Sequence, residues 1–163
     1  MYIYEIDDDL TSIKVQLPQF KGSTDPNEFI DWKDRCNLLF NHQRFSGRKK
    51  MQLAITEFRD YALVWWKQHL MKARNAGFFG PTDWDSLLHD MELRFMPRDY
   101  RRSLIQKIYS LTQGSRSVEE YFQEMELLML RAEFQEEETG TLYRFMSGLR
   151  KDIYEQVDIH TLT

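Results

Sequence analysis

The sequence predicts an all-α protein of two small helical domains, with about eight helices and at most one short N-terminal strand. Large apolar side chains recur at helical spacings, as in the rings Phe29, Trp32 and Phe40 and again in the stripe Trp84, Leu88, Met91 and Phe95. Helix start signals punctuate the chain, as in Asp25-Pro26 and Ser117-x-x-Glu120. Pro97 ends one helical pattern just before another begins, which sets the domain boundary there.

Residues 1–12 mix aromatics with Asp7, Asp8 and Asp9 and show no period, so they are expected to form an N-terminal arm. Ile13, Val15 and Leu17 alternate with Lys14 and Gln16, the two-residue period of a short extended segment that Pro18 stops. The first domain is assigned to residues 13–97. Its first helix is expected from Pro26 to about Asn41, with Asp25 as N-cap and Glu28 returning a capping-box bond. The loop from Arg44 to Gly47 leads to a second helix bearing Met51, Ala54, Ile55 and Phe58, and a third carries Ala62, Trp65 and His69. Gly77, Gly80 and Pro81 break the pattern, after which Thr82 with Asp85 is expected to cap a helix from Trp84 to Met96.

The second domain is assigned to residues 98–163. Leu104, Ile108 and Leu111 share one helix face, and Gln113-Gly114 ends that helix. The capping box at Ser117 and Glu120 opens a helix whose apolar face is Val118, Tyr121, Met125, Leu128 and Ala132. The acidic run from Glu136 to Glu138 suits the positive end of a helix closed by Gly148 as a C-cap. On that helix Leu142, Phe145 and Leu149 are expected to face inward, leaving Tyr143 and Met146 beside the stripe as assembly-interface residues. Ile153, Tyr154 and Val157 mark a short last helix.

Composition bounds the function. With 163 residues, 42% hydrophobic and 14% aromatic, the chain can bury roughly two thirds of its unfolded surface, enough for one or two domains. A net charge of −4 spread over both halves rules out a polycation that grips nucleic acid with its whole surface. The lone Cys36 excludes an intrachain disulfide and reads as a buried free thiol. No run of about eighteen apolar residues exists, and the acidic N-terminus is unlike a signal peptide, so a soluble, cytosolic protein without membrane partners is expected.

No catalytic grouping, cofactor motif or metal-ligand spacing occurs, so neither an enzyme nor a cofactor is expected. His42, His69, His89 and His160 are scattered, and the commoner reading of His69, beside Trp65, is a satisfied histidine. Arg44, Arg48, Lys49 and Lys50 form one basic cluster, and Arg98, Arg101 and Arg102 a second. Short clusters are more often solvated faces. The other reading is contact with RNA or another polyanion, with Phe45 or Tyr100 stacking on a base. Adjacent Trp65 and Trp66 point about 100° apart on a helix, so Trp66 is expected at the surface or at a second interface.

The ordered set Pro18-x-Phe20-x-Gly22, Asp25-Pro26-x-x-Phe29-x-x-Trp32, Phe40, Ala62-x-x-Trp65, Trp84-x-x-Leu87, Phe95-x-Pro97, Leu111-x-Gln113-Gly114, Val118-x-x-Tyr121 and Phe145-x-x-Gly148-Leu149 resembles the capsid region of Gag polyproteins from gypsy-class long-terminal-repeat retrotransposons and their domesticated descendants. The resemblance implies an N-terminal and a C-terminal capsid domain joined by a short linker. It implies self-assembly, as dimers and higher oligomers, into virus-like shells that enclose the element's RNA. The alternative it allows is a domesticated interaction module holding a peptide in a groove of the N-terminal domain. The segment from Gln113 to Tyr121 also resembles the major homology region of retroviral capsids, with Arg116 and Glu124 in exchanged positions around the aromatic. The family's zinc knuckle is not in this sequence, so RNA contact is expected mainly outside these residues, and the further helix that the family has after Ile159 leaves the second domain expected to be truncated.

Overall fold

The computed structural model describes residues 15–161. The expected arm and the start of the expected strand, Ile13 and Lys14, lie outside them. Eight helices and no named strand occur among the described residues, and the chain divides into two compact units, the first ending at Met96 and the second beginning at Pro97.

The first unit holds α1 (Pro26–Phe40), α2 (Gly47–Ile55), α3 (Asp60–Asn75) and α4 (Trp84–Phe95). Asp25 caps α1 by accepting from the Asn27 N–H at 2.9 Å, and in place of the expected box with Glu28 the Asp25 N–H donates to Ser23 Oγ at 3.1 Å. Asp83 caps α4, correcting Thr82. Being extended and one residue nearer, its carboxylate reaches the Ser86 N–H at 2.8 Å, and Ser86 Oγ accepts from the Asp83 N–H at 3.1 Å. Hydrogen bonding from the Ser86 N–H also holds the Asp83 carboxyl pKa below its ordinary value.

The alternation before Pro18 yields no strand among the described residues. One isolated parallel bridge joins Phe20 to Phe58 instead, through Phe20 N–H to the Glu57 carbonyl (3.0 Å) and Arg59 N–H to the Phe20 carbonyl (2.9 Å). Phe58 is therefore not on α2, which closes at Ile55 with a tightened turn, Glu57 N–H to Ala54 and Phe58 N–H to Ile55.

The core of this unit is aromatic. Trp32 lies 5.0 Å from Phe20 and 5.7 Å from Trp84 between ring centroids, and Phe95 packs edge-on to Phe20 at 4.9 Å. Both indole N–H groups are satisfied: Trp32 donates to the Pro18 carbonyl at 2.9 Å and Trp84 to Asn37 Oδ1 at 2.8 Å. Trp66 corrects its expectation, since it is buried with Trp65. Phe58, on the segment before α3, meets both indoles, at 6.4 Å and 6.2 Å, so two directions 100° apart on the helix both find cover.

The second unit holds α5 (Tyr100–Ser110), α6 (Val118–Ala132), α7 (Glu138–Gly148) and α8 (Lys151–Thr161). Leu104, Ile108, Leu128 and Ala132 form one buried cluster, and Tyr121, Met125 and Leu149 another, with Leu111 and Met129 touching both. Val118, expected on the core face, is exposed, because it is the first residue of α6 and precedes the turn covered by Tyr121.

Candidate functional site

Gln113 is buried in the turn between α5 and α6, and every polar group it carries is used. Its Nε2 donates to the Arg116 carbonyl at 2.9 Å, its Oε1 accepts from the Arg150 N–H at 2.9 Å, and its own N–H donates to the Gly148 carbonyl at 2.8 Å. One side chain thus ties the start of α6 to the end of α7. Gly114 turns the chain with φ +56°, and Ser117 and Glu120 form the expected reciprocal box, at 3.1 Å and 2.9 Å. Arg116 donates to the Thr112 carbonyl at 3.2 Å, a local bond in place of a pairing with Glu124.

Gly148 was expected as a left-handed C-cap. It is the last residue of α7 with no positive φ, and Leu149 is the cap. Its need for glycine is space: a Cβ there would stand 2.8 Å from Tyr121 Cζ and 3.0 Å from the Leu111 carbonyl oxygen. The Tyr121 hydroxyl donates to the Phe145 carbonyl at 3.1 Å, and the two rings stack at 5.2 Å. Burial raises the Tyr121 pKa, against the opposing charge of Arg144.

On α7 the expected faces are partly exchanged. Phe145 and Met146 pack on Tyr121, Met125 and Leu149, while Leu142 is 60% and Tyr143 77% exposed. The core reaches only the last turn of α7, which leaves Leu142, one turn earlier, mostly exposed. Met146, expected at an interface, thus faces inward, and α7 has no fully buried residue. Arg144 anchors the helix, with Nε and Nη2 on the two Glu136 oxygens at 3.1 Å and 3.0 Å and its guanidinium over the Tyr109 ring at 4.6 Å. Hydrogen bonding from Arg144 lowers the Glu136 pKa, and Glu136 raises that of Arg144. A shallow cavity of about 280 Å³ opens beside Arg144, lined by Tyr109, Thr112, Tyr143 and Ser147.

In the first unit the predicted motif residues Phe20, Gly22, Phe29, Trp32, Phe40, Trp65, Trp84 and Phe95 are all interior. At Gly22, φ is +73° and a Cβ would meet the Ala62 backbone nitrogen at 2.7 Å, so only glycine lets this segment lie on the start of α3. A groove of about 370 Å³ opens beside that segment, lined by Pro18, Gln19, Phe20, Trp32 and the rim residues Glu28 and Arg35 among others.

The two basic clusters part company with their aromatics. Phe45 packs on the first core and Tyr100 on the second unit's, so both rings are partly buried. Lys50 lies 5.8 Å over the Phe40 ring, and Arg101 donates to the Ala132 carbonyl at 2.9 Å, a tie from α5 to the end of α6. Arg44, Arg48, Arg98 and Arg102 are exposed, and Lys49 is half-buried. Sequence reasoning missed Phe78 and Phe79, which are 71% and 94% exposed on the loop between α3 and α4. Their signal was present: an apolar pair enclosed by Gly77 and Gly80 sits on a loop tip rather than in a helix face.

Cys36 is buried and its pKa is pushed up to about 12, by burial first and then by the Glu57 charge. His69 stacks on Trp65 at 5.0 Å and shares a 2.7 Å hydrogen bond with Asp90. Among the described residues there is no group of three or more His, Cys, Asp or Glu placed to hold a metal ion, and no helix is long and apolar enough to cross a membrane.

Four helices closed around an aromatic core, with a glycine-dependent segment bridged to the start of α3, define an all-helical capsid-like domain. The family model described as retrotransposon-derived protein PEG10, N-terminal capsid-like domain, matches residues 14–95. The chain belongs to that family and is a retrotransposon Gag capsid protein or a domesticated Gag derivative, a structural and non-catalytic class. No curated protein and no solved structure matches the chain.

Proposed function

We propose that this protein is a structural Gag capsid component that self-associates, in the cytoplasm, into shells enclosing the element's RNA. The observation that carries the reading is α7, where Leu142 and Tyr143 present apolar surface on a helix that buries none of its residues fully. A two-fold contact through that face presents each residue twice, and repetition turns weak contacts into a stable assembly. The second unit acts in this reading as the capsid C-terminal domain, braced by Gln113, and RNA is engaged mainly by segments beyond these residues, with Arg44 and Arg48 as exposed cations on the first unit. Negative-stain imaging of the purified protein across salt and protein concentration tests the proposal. Closed particles are expected at high concentration, and dispersed monomers under every condition contradict it.

The groove beside Pro18 and Trp32 favours a second reading, a domesticated module that holds a peptide there. A monomer at high concentration that binds peptides selectively is the outcome that distinguishes it.

A further inference from the structure

α3 turns Ala62, Trp65 and Trp66 into the core and gives its other side to solvent. On that side Val64 and Met71, two turns apart, are 48% and 61% exposed. Just past the helix end come Phe78 and Phe79, whose rings stand mostly in water. Their loop is built to hold them there. Phe78 N–H donates to the Ala73 carbonyl at 2.8 Å and Gly77 N–H to the Arg74 carbonyl at 3.0 Å, while Gly77 and Gly80 turn the chain at φ +83° and +78°. Gly80 lies against Leu70, where a Cβ would come 3.1 Å from Cδ2, so the loop is seated on α3. Exposed apolar side chains grouped in this way mark a contact surface.

Charge selects what the surface meets. Lys67, Lys72 and Arg74 are exposed on the same helix, and residues 61–82 include no carboxylate. Asp60 precedes this stretch, and Asp83 and Asp85 follow it at the start of α4. Asp83 is engaged by its own helix, accepting from the Ser86 N–H at 2.8 Å. Asp90 reaches α3 only through His69, which stacks on Trp65 on the other side of the helix. The exposed side is therefore both apolar and cationic. A second copy using the same face would set three cations against three. RNA would engage the cations and the rings but would gain nothing from Val64 and Met71. An anionic lipid surface uses all of them. Apolar side chains enter the boundary between head groups and acyl chains, while lysine and arginine reach the anionic head groups over their own apolar stems.

We propose that α3 and the loop at Phe78 and Phe79 form a membrane-surface contact, lying on a bilayer rich in anionic lipid with both rings inserted at the acyl boundary. No membrane partner was expected from a sequence without a spanning segment, and a contact that lies in the interface needs none. Four apolar side chains and three cations make a weak and reversible attachment. One copy suffices for it, so the contact goes beyond the capsid reading and stands whether or not α7 associates.

The test is sedimentation of the full chain with vesicles, equal parts phosphatidylcholine and phosphatidylserine compared with phosphatidylcholine alone. Binding to the anionic vesicles is expected, at least about tenfold tighter than to the neutral ones and falling as salt is raised. One variant carries Phe78→Ser with Phe79→Ser, a second Lys67→Gln, Lys72→Gln and Arg74→Gln, and a control carries Leu38→Ser on α1. All of these positions are exposed, and circular dichroism confirms that each variant keeps its helix content. The first two are expected to bind anionic vesicles at least about tenfold more weakly, and the control as tightly as the parent. Phe79→Trp reports depth, since its added fluorescence is expected to be quenched by lipids brominated in the acyl chain. No binding to anionic vesicles overturns the proposal, as does binding indifferent to lipid charge. Parent-like binding by either of the first two variants, an equal loss in the control, or an unquenched Phe79→Trp signal also overturns it. If both variants keep vesicle binding and instead lose binding to single-stranded RNA, the face belongs to nucleic acid and the proposal falls.

Discussion

The Cα of Gly148 sits against the Tyr121 ring so closely that a side chain there would overlap it, with a Cβ 2.8 Å from Cζ. Gly148→Ala is therefore expected to destabilise the second unit by about 1–3 kcal/mol, the cost of overpacking a filled site. Tyr121→Phe alone loses one hydrogen bond, to the Phe145 carbonyl, for about 1 kcal/mol. Its combination with Gly148→Ala is expected to cost less than the sum, because removing the hydroxyl relieves part of the overlap. Urea unfolding of the four proteins measures the coupling.

Gln113→Leu keeps the buried volume but leaves the Arg116 carbonyl and the Arg150 N–H without their partner. The expected loss is about 2–3 kcal/mol. Gln113→Glu discriminates: it can still accept from Arg150 but cannot donate to Arg116 when ionised, so its deficit is expected to shrink as pH falls and the carboxyl protonates. Melting temperature against pH for the two variants checks this.

Trp32→Ala is expected to cost about 3–5 kcal/mol in the first unit, the range for truncating a buried aromatic. Trp32→Phe keeps a ring against Phe20 and Trp84 but loses the bond to the Pro18 carbonyl, for about 1 kcal/mol. Thermal unfolding followed by tryptophan fluorescence separates the two losses.

The Glu136–Arg144 pair gives the second unit a pH dependence. Arg144 lowers the Glu136 pKa below its ordinary value of 4.5, so the folded state favours the charged carboxylate. Its contribution is complete above that value and is lost as pH falls through the lowered one. Glu136→Gln is expected to cost about 1 kcal/mol at neutral pH, allowing for partial solvent screening, and the difference from the parent is expected to vanish in acid. A deficit that persists in acid contradicts the assignment.

Much of the fold was legible because its signals are local. Pro26 and Asp25, the Ser117 and Glu120 box, and the ring spacing of Phe29, Trp32 and Phe40 each specify a helix or its face within one or two turns. The misreadings share a different cause, since each depends on what packs from elsewhere in the chain. Trp66 is buried because Phe58 arrives from outside α3, Leu142 is exposed because the core stops one turn short of it, and Gly148 answers to Tyr121 rather than to its own backbone. Helical periodicity shows which residues share a face. How far a neighbouring element covers that face is set by tertiary packing, and for the same reason periodicity does not show the groove beside Pro18, which only the family resemblance led one to expect.

Self-association through α7 is tested most directly by the mass of the protein in solution as a function of concentration. Leu142→Asp with Tyr143→Asp alters two exposed side chains, so helix content is expected to stay unchanged. Multi-angle light scattering is expected to show the parent rising above monomer mass and the double variant needing at least tenfold more protein to do so. A parent that remains monomeric at near-millimolar concentration, or a double variant that assembles as readily as the parent, contradicts the account.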